Sequence, residues 1–382
     1  MSVWDEVVGQ PEAVGVLQRA ASDPAAMTHA WLLTGPPGSG RSVAARAFAA
    51  ALQCTGDGPV AGCGSCHACT TTLAGTHPDL TVVATEKVVI TIDEVRDLIM
   101  AAARTPAVGR YRVIVVEDAD RMAERTTNVL LKSIEEPPPH TVWVLCAPSA
   151  QDVLPTIRSR CRSVALRVPP ARDVADLLVR RDGVDPAVAL QAAQAAQSHV
   201  GLARRLARDP EARRRRDAVL DVARRIRGVP DAVLAAAELV DVAKAEATSA
   251  TAERDAVEKA ELLRALGAGE GETLPPRLRS QLKQLEDDQK RRATRRQRDV
   301  LDRSMVDLLS LYRDVLVVQL GADVDLVNGE HAGTVRALAR DSTPEQTVRR
   351  MDAIGVARER LEGNVAPLLA LEAMSIALRP QG

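Results

Sequence analysis

The chain has 382 residues, with 50 Lys and Arg against 51 Asp and Glu, 46% apolar residues and only 2% aromatics. Its length calls for two or three domains. A formal charge of −1 excludes the global basic field that advertises nucleic-acid binding, and no run of about 18 apolar residues is present to span a membrane. With so few aromatics, the cores must be rich in Ala, Leu and Val and largely helical. The opening Met-Ser-Val-Trp-Asp-Glu has neither the basic nor the apolar region of a signal peptide, so a cytoplasmic location is expected. Six Cys in that compartment point to metal binding or burial rather than disulfides.

In chain order, Ala30–Thr34 reads as a strand feeding a Gly-rich turn, and the Ala-rich Ser42–Leu52 as the helix behind it. Further strands are expected at Leu80–Ala84, Arg112–Val116, Thr141–Cys146 and Ser163–Val168, with helices over about 93–104 and 123–135. Strands separated by helices imply a parallel sheet flanked by helices over residues 1–168. From Pro169 the β signal stops. Residues 169–208 read as three short helices. Residues 209–382 read as longer helices broken at Gly267–Glu272 and near Gly321–Gly329. Pro276–Leu320 would run about 65 Å if unbroken. The charged segment 244–300 suits a solvated helical hairpin or an insertion.

The turn after the first strand is Gly35-Pro-Pro-Gly38-Ser-Gly40-Arg41-Ser42. It matches the phosphate-cradling pattern G-x-x-x-x-G-K-[ST] except that Arg41 stands where Lys reaches the β/γ oxygens. Arg keeps the charge but replaces a compact ammonium with a planar fork, which is not a conservative exchange in a tight phosphate site. The strand Arg112–Val116 ends in Glu117-Asp118, the reverse of the Asp-Glu that closes a Walker B strand. Each carboxylate is therefore a methylene out of place, in a chemistry dominated by positioning. The site is expected to hold ATP or ADP without hydrolysing it, or to hold none.

Cys54, Cys63, Cys66 and Cys69 form C-x₈-C-x₂-C-x₂-C, which suits a closed, structural tetrahedral zinc site. The alternative is four unlinked thiols. His67 within this module is read as exposed, and Cys146 and Cys161 as buried small hydrophobes. Arg160, after Leu154–Arg158, stands at a helix end away from the Gly-rich turn. It is either a surface Arg or one donated in trans to charge developing on a neighbour's γ-phosphate. Asn128–Pro139 reads as a helix stopped by proline. The basic run Lys290–Arg298 is flanked by acids and reads as a solvated helix face.

Together these stretches resemble the bacterial clamp-loader branch of the AAA+ superfamily. Trp4–Gln10 is similar to that family's adenine-side box, and Gly201-Leu-Ala-Arg204 stands at its sensor 2 position. The Cys module, Asn128–Pro138 and Ser159-Arg160-Cys161 are signatures of its subunits. Arg41 and Glu117-Asp118 depart from the ATP-hydrolysing gamma/tau type and point to the delta-prime, or stator, type. The resemblance implies an α/β AAA+ domain with an inserted zinc module, a helical lid and an all-α collar domain. It also implies a hetero-pentamer with gamma/tau and delta subunits that loads the β sliding clamp onto primed DNA. Arg160 would then be an arginine finger. Two alternatives are a gamma/tau-like ATPase and a zinc-dependent nucleic-acid-binding module.

Overall fold

The computed structural model describes residues 2–56, 58, 60–84, 89–265, 276–363 and 365–380. The expected helix break at Gly267–Glu272 lies outside them. Two compact units are present, Met1–Asp209 and Pro210–Gly382.

The first unit runs α1 (Pro11–Ser22), β1 (Ala30–Thr34), α2 (Arg41–Gln53), α3 (His67–Leu73), β2 (Leu80–Val83), α4 (Ile92–Ala102), β3 (Arg112–Val116), α5 (Glu124–Glu135), β4 (Thr141–Ala147), α6 (Pro155–Arg158) and β5 (Arg162–Ala165). Three helices follow as α7 (Ala171–Asp182), α8 (Pro186–Ala195) and α9 (Val200–Arg208). The strands form one parallel sheet in the order β2-β3-β4-β1-β5. The central strands β1, β3 and β4 are wholly buried, whereas the edge strands are not. This is why the central strands read as unbroken apolar runs. Alternate residues feed two cores. Trp31 and Leu33 join Leu17 and Phe48 on one face, and Leu32, Ile114 and Leu145 join Leu98, Leu130 and Ile134 on the other. The expected architecture of a parallel sheet flanked by helices is thus present.

β5 ends three residues earlier than its sequence suggests. The Arg167 N–H leaves the ladder and donates to Gln10 Oε1 at 3.1 Å, and Pro169-Pro170 follow.

The loop before β3 is anchored by a buried carboxylate. Asp79 accepts the N–H groups of Ala107, Val108 and Gly109 at 2.6, 2.8 and 2.7 Å. Burial acts to raise its pKa, but these donors outweigh it and hold the carboxyl below its ordinary value. A depressed folded pKa gives stability that is whole above the unfolded value of about 4 and is lost as pH falls through the folded one. Asp79→Ala is expected to cost roughly 2–4 kcal/mol at neutral pH. The deficit should shrink as the wild type is acidified, as read by urea unfolding across the acid range.

The second unit comprises α10 (Pro210–Arg225), α11 (Val229–Ala265), α12 (Pro276–Leu320), α13 (Ala332–Arg340), α14 (Pro344–Glu362) and α15 (Pro367–Leu378). Its core gathers Leu220, Leu239, Leu308, Tyr312, Ile354 and Leu371, among others. The turn near Gly321–Gly329 is held by fully buried Asp314, whose carboxylate accepts from the N–H groups of Val327 and Asn328. Within segment 244–300, residues 244–265 belong to α11 and residues 276–300 to α12, and ion pairs link the two helices. Arg292 binds Glu258 and Asp255 and, by hydrogen bonding, holds the Glu258 carboxyl at about 2. The basic run is thereby partly neutralised, as a solvated helix face requires. Among the described residues no helix is long and apolar enough to cross a membrane.

Candidate functional site: a Gly-rich turn and a four-Cys cluster

The turn between β1 and α2 has the geometry of an anion cradle. Gly38 and Gly40 sit at φ 86° and 87°, left-handed values that favour glycine. Gly40 caps α2 without a side-chain acceptor, so the first N–H groups of the helix are left for another partner. A Cβ on Gly38 would meet His199 Cα and Cβ at 3.1 Å, so the loop lies directly against the start of α9. Buried Gln10 donates to the carbonyls of Ser39 (3.1 Å) and Arg167 (2.5 Å), tying the N-terminal segment to the loop and to the stretch after β5.

Several charged groups around this cradle are engaged within the chain. Arg41 Nη1 donates to the Gly35 carbonyl, folding the guanidinium back onto its own loop. Ser42 follows on α2. Glu117 Oε1 accepts from Arg46 Nε at 3.0 Å and Nη2 at 2.9 Å. Asp118 stands 3.8 Å from Arg121 Nε. Cys146, at the end of β4, is fully buried, and burial pushes its thiol up to about 12. Arg204 is held by Asp182, with Nε and Nη2 at 3.0 and 2.9 Å from Oδ1. Asp182 also receives Arg181 at 3.1 Å and lies 3.6 Å from Arg208. Arg181 in turn reaches Glu6 at 2.8 Å, linking α7 to the N-terminal segment. Burial opposes ionisation of Asp182, but its arginine partners keep its carboxyl below the usual range.

A P-loop ATPase holds Mg²⁺ between its Ser/Thr hydroxyl and a strand-end carboxylate. The residues here do not fit that ion, because a guanidinium already occupies the carboxylate at that position. Beside the site a cleft of about 580 Å³ is lined by Asp5, Val7, Val8, Gly9, Asp173 and Arg180, among others, and by no residue of the Gly-rich turn.

Arg160 lies just beyond α6. Its Nη2 pairs with Glu135 at 2.5 Å, and its Nη1 donates to the Thr156 carbonyl at 2.8 Å.

The four-Cys cluster is assembled as its spacing suggests. The Sγ atoms of Cys54, Cys63, Cys66 and Cys69 all lie within 4.8 Å of one another. A zinc–thiolate tetrahedron with bonds of about 2.3 Å has edges of about 3.8 Å, so the set can hold such an ion. Backbone N–H groups already point at sulfur: Cys63 N at Cys54, Cys66 N at Cys63 and Cys69 N at Cys66, over 3.3–3.4 Å. The Cys66 N–H, with help from Ser65, lowers the Cys63 thiol to about 6, whereas burial raises that of Cys69. His67 is exposed and outside the cluster, and Cys161 is half-buried against the core. Trp4 belongs to this module: its Nε1 donates to the Ala61 carbonyl at 2.9 Å, and the Val3 N–H to that of Gly62 at 3.0 Å.

Residues 9–170 match the family model described as DNA polymerase III, delta subunit. This segment is similar to DNA polymerase III clamp-loader subunits. The chain is 39% identical over 165 residues to the delta' subunit of Pseudomonas aeruginosa DNA polymerase III, covering 43% of this chain and 50% of that protein. It is 36% identical over 177 residues to the gamma/tau subunit of Mycobacterium bovis, covering 46% and 30%. A gamma subunit-related protein of Thermotoga maritima overlaps 91% of this chain and 99% of its own, with a TM-score of 0.38 and 16% identity. The chain thus spans about half the length, or less, of the curated relatives it matches.

Three residues that shape the site escape a motif reading: Arg46, Asp182 and Glu135. Only Arg46 has a local signal, because it lies four residues after Ser42 and so on the same face of α2. Asp182 and Glu135 meet their partners through the tertiary fold.

Proposed function

We propose that the chain is a delta-prime-type subunit of a DNA polymerase III clamp loader, a scaffold that does not hydrolyse ATP itself. The observation that carries this reading is that charged groups a P-loop site would direct at phosphate or metal, Arg41, Arg204 and Glu117, are engaged within the chain. Arg41 is spent on Gly35, Arg46 on Glu117 and Arg204 on Asp182. Positioning and charge stabilisation supply nearly all of the catalysis of phosphoryl transfer, so a site whose charges are consumed in this way has little left to offer. ATP or ADP, where held at Gly35, Gly38, Gly40, Arg41 and Ser42, would stay intact.

In this reading the four Cys hold a structural zinc and the second unit is the collar through which gamma/tau and delta subunits assemble into a hetero-pentamer. That assembly opens the β sliding clamp and closes it on primed DNA in the cytoplasm. Arg160 faces ATP on the adjacent gamma/tau subunit. The similar identity to a gamma/tau subunit favours a second reading, a chain that hydrolyses ATP in its own site.

One experiment separates them. Mixed with the gamma/tau and delta subunits of its own cell, the full chain is expected to elute with them as one complex, while alone it turns over no ATP. Failure to enter the complex would overturn the assignment, and turnover by the isolated chain would establish the second reading.

A further inference from the structure

We infer that Arg46 is a built-in counter-ion that takes the place of the divalent cation beside the P-loop, so that this site holds no metal. The inference rests on the reading of Gly35–Ser42 as a degenerate nucleotide site. Three observations carry it. Both Nε and Nη2 of Arg46 reach the same oxygen, Glu117 Oε1, at 3.0 and 2.9 Å. The Glu117 side chain is only 14% exposed, so its charge is largely withdrawn from water and needs a compensating cation. Finally, Ser42 and Arg46 stand four residues apart on α2. The guanidinium therefore rises on the same helix face as the hydroxyl that would be the other protein ligand of Mg²⁺.

The two cations are not equivalent. Mg²⁺ demands a near-octahedral set of oxygens, most of them water or phosphate, and a carboxylate free to join them. Here the carboxylate is engaged, and an entering dication would have to displace a guanidinium of like sign. A guanidinium does not deprotonate in proteins, so the exclusion holds at any working pH. Asp118, the neighbouring carboxylate, has its own partner in Arg121. The reversed order Glu117-Asp118 then has a structural sense: the longer arm of Glu117 reaches back to α2 and not toward a metal. The inference also separates two defects that the sequence presents as one. Lys at position 41 would restore a phosphate ligand and still leave the cation position filled.

The test is a Mn²⁺ titration of the zinc-loaded full chain, with free Mn²⁺ followed by electron paramagnetic resonance, without nucleotide or partner subunits. Wild type and Glu117→Gln should be indistinguishable. Arg46→Gln should gain one Mn²⁺ site, at least about tenfold tighter than any wild-type binding, and Arg46→Gln/Glu117→Gln should lose it. Arg46→Met, which keeps the aliphatic stem, serves as a second variant, and a melting curve on each checks the fold. A Mn²⁺ site in the wild type that Glu117→Gln abolishes, or no gain in either Arg46 variant, would overturn the inference. Because partners and ATP are absent, the outcome is independent of whether the chain enters a clamp loader.

Discussion

Replacing Cys66 by Ser is expected to empty the four-Cys site and to destabilise the N-terminal unit by on the order of 4 kcal/mol. Cys66 has two roles there. Its Sγ is one corner of the cluster, and it caps α3 by accepting the Cys69 N–H at 3.4 Å. The damage should spread, because Cys69 is fully buried in the same core as Trp4, Ala50 and Phe48. The Trp4 indole is in turn hydrogen-bonded to the module at Ala61. For a unit of this size the loss corresponds to roughly 10 °C in Tm. Metal analysis of the purified chain should give one zinc per chain for the wild type and none for Cys66→Ser, with a parallel drop in the melting transition. ATP hydrolysis by the assembled complex should fall only as far as the unit unfolds, since a closed site of four thiolates leaves no open position for chemistry. A wild-type chain without zinc would refute this account.

Much of the first unit could be read before it was seen, for a physical reason. A parallel sheet covered on both faces needs central strands that are apolar at every position, and Ala30–Thr34, Arg112–Val116 and Thr141–Ala147 largely are. The Gly-rich turn and the Cys spacing were legible for a similar reason: their chemistry demands particular residues at short separations. The edge strand β5 was overread, because at Arg167 a side chain, Gln10, replaces the ladder partner, and sequence periodicity does not register such a substitution. The ion pairs that define the site were beyond reach. Asp182 lies 22 positions from Arg204 and Glu117 lies 71 positions from Arg46. Nothing in local sequence chooses among 50 basic residues as their partners. The motifs therefore point to the candidate site, while its pairing depends on long-range contacts.

Those pairs also frame the strongest test of the assembly reading. Arg160→Ala is expected to cut clamp- and DNA-stimulated ATP hydrolysis by the reconstituted loader, with the complex still formed. An arginine supplied in trans is worth roughly 10³–10⁵ in rate at the site it serves. Because other subunits retain their own sites, the fall in total turnover should be read per site. In the isolated chain Arg160 rests on Glu135 and the Thr156 carbonyl. The two side chains of the ion pair are 39% and 42% exposed, so it contributes no more than about 1 kcal/mol. A phosphate oxygen presented by a neighbouring subunit could readily outcompete it through charge-assisted hydrogen bonds. Arg160→Lys should rescue poorly, since an ammonium cannot reproduce the fork. Glu135→Gln should leave hydrolysis near wild type, because it loosens only the resting contact. If Arg160→Ala left the rate unchanged in an intact complex, Arg160 would supply no necessary contact across the interface, and the chain's part in the loader would reduce to scaffolding.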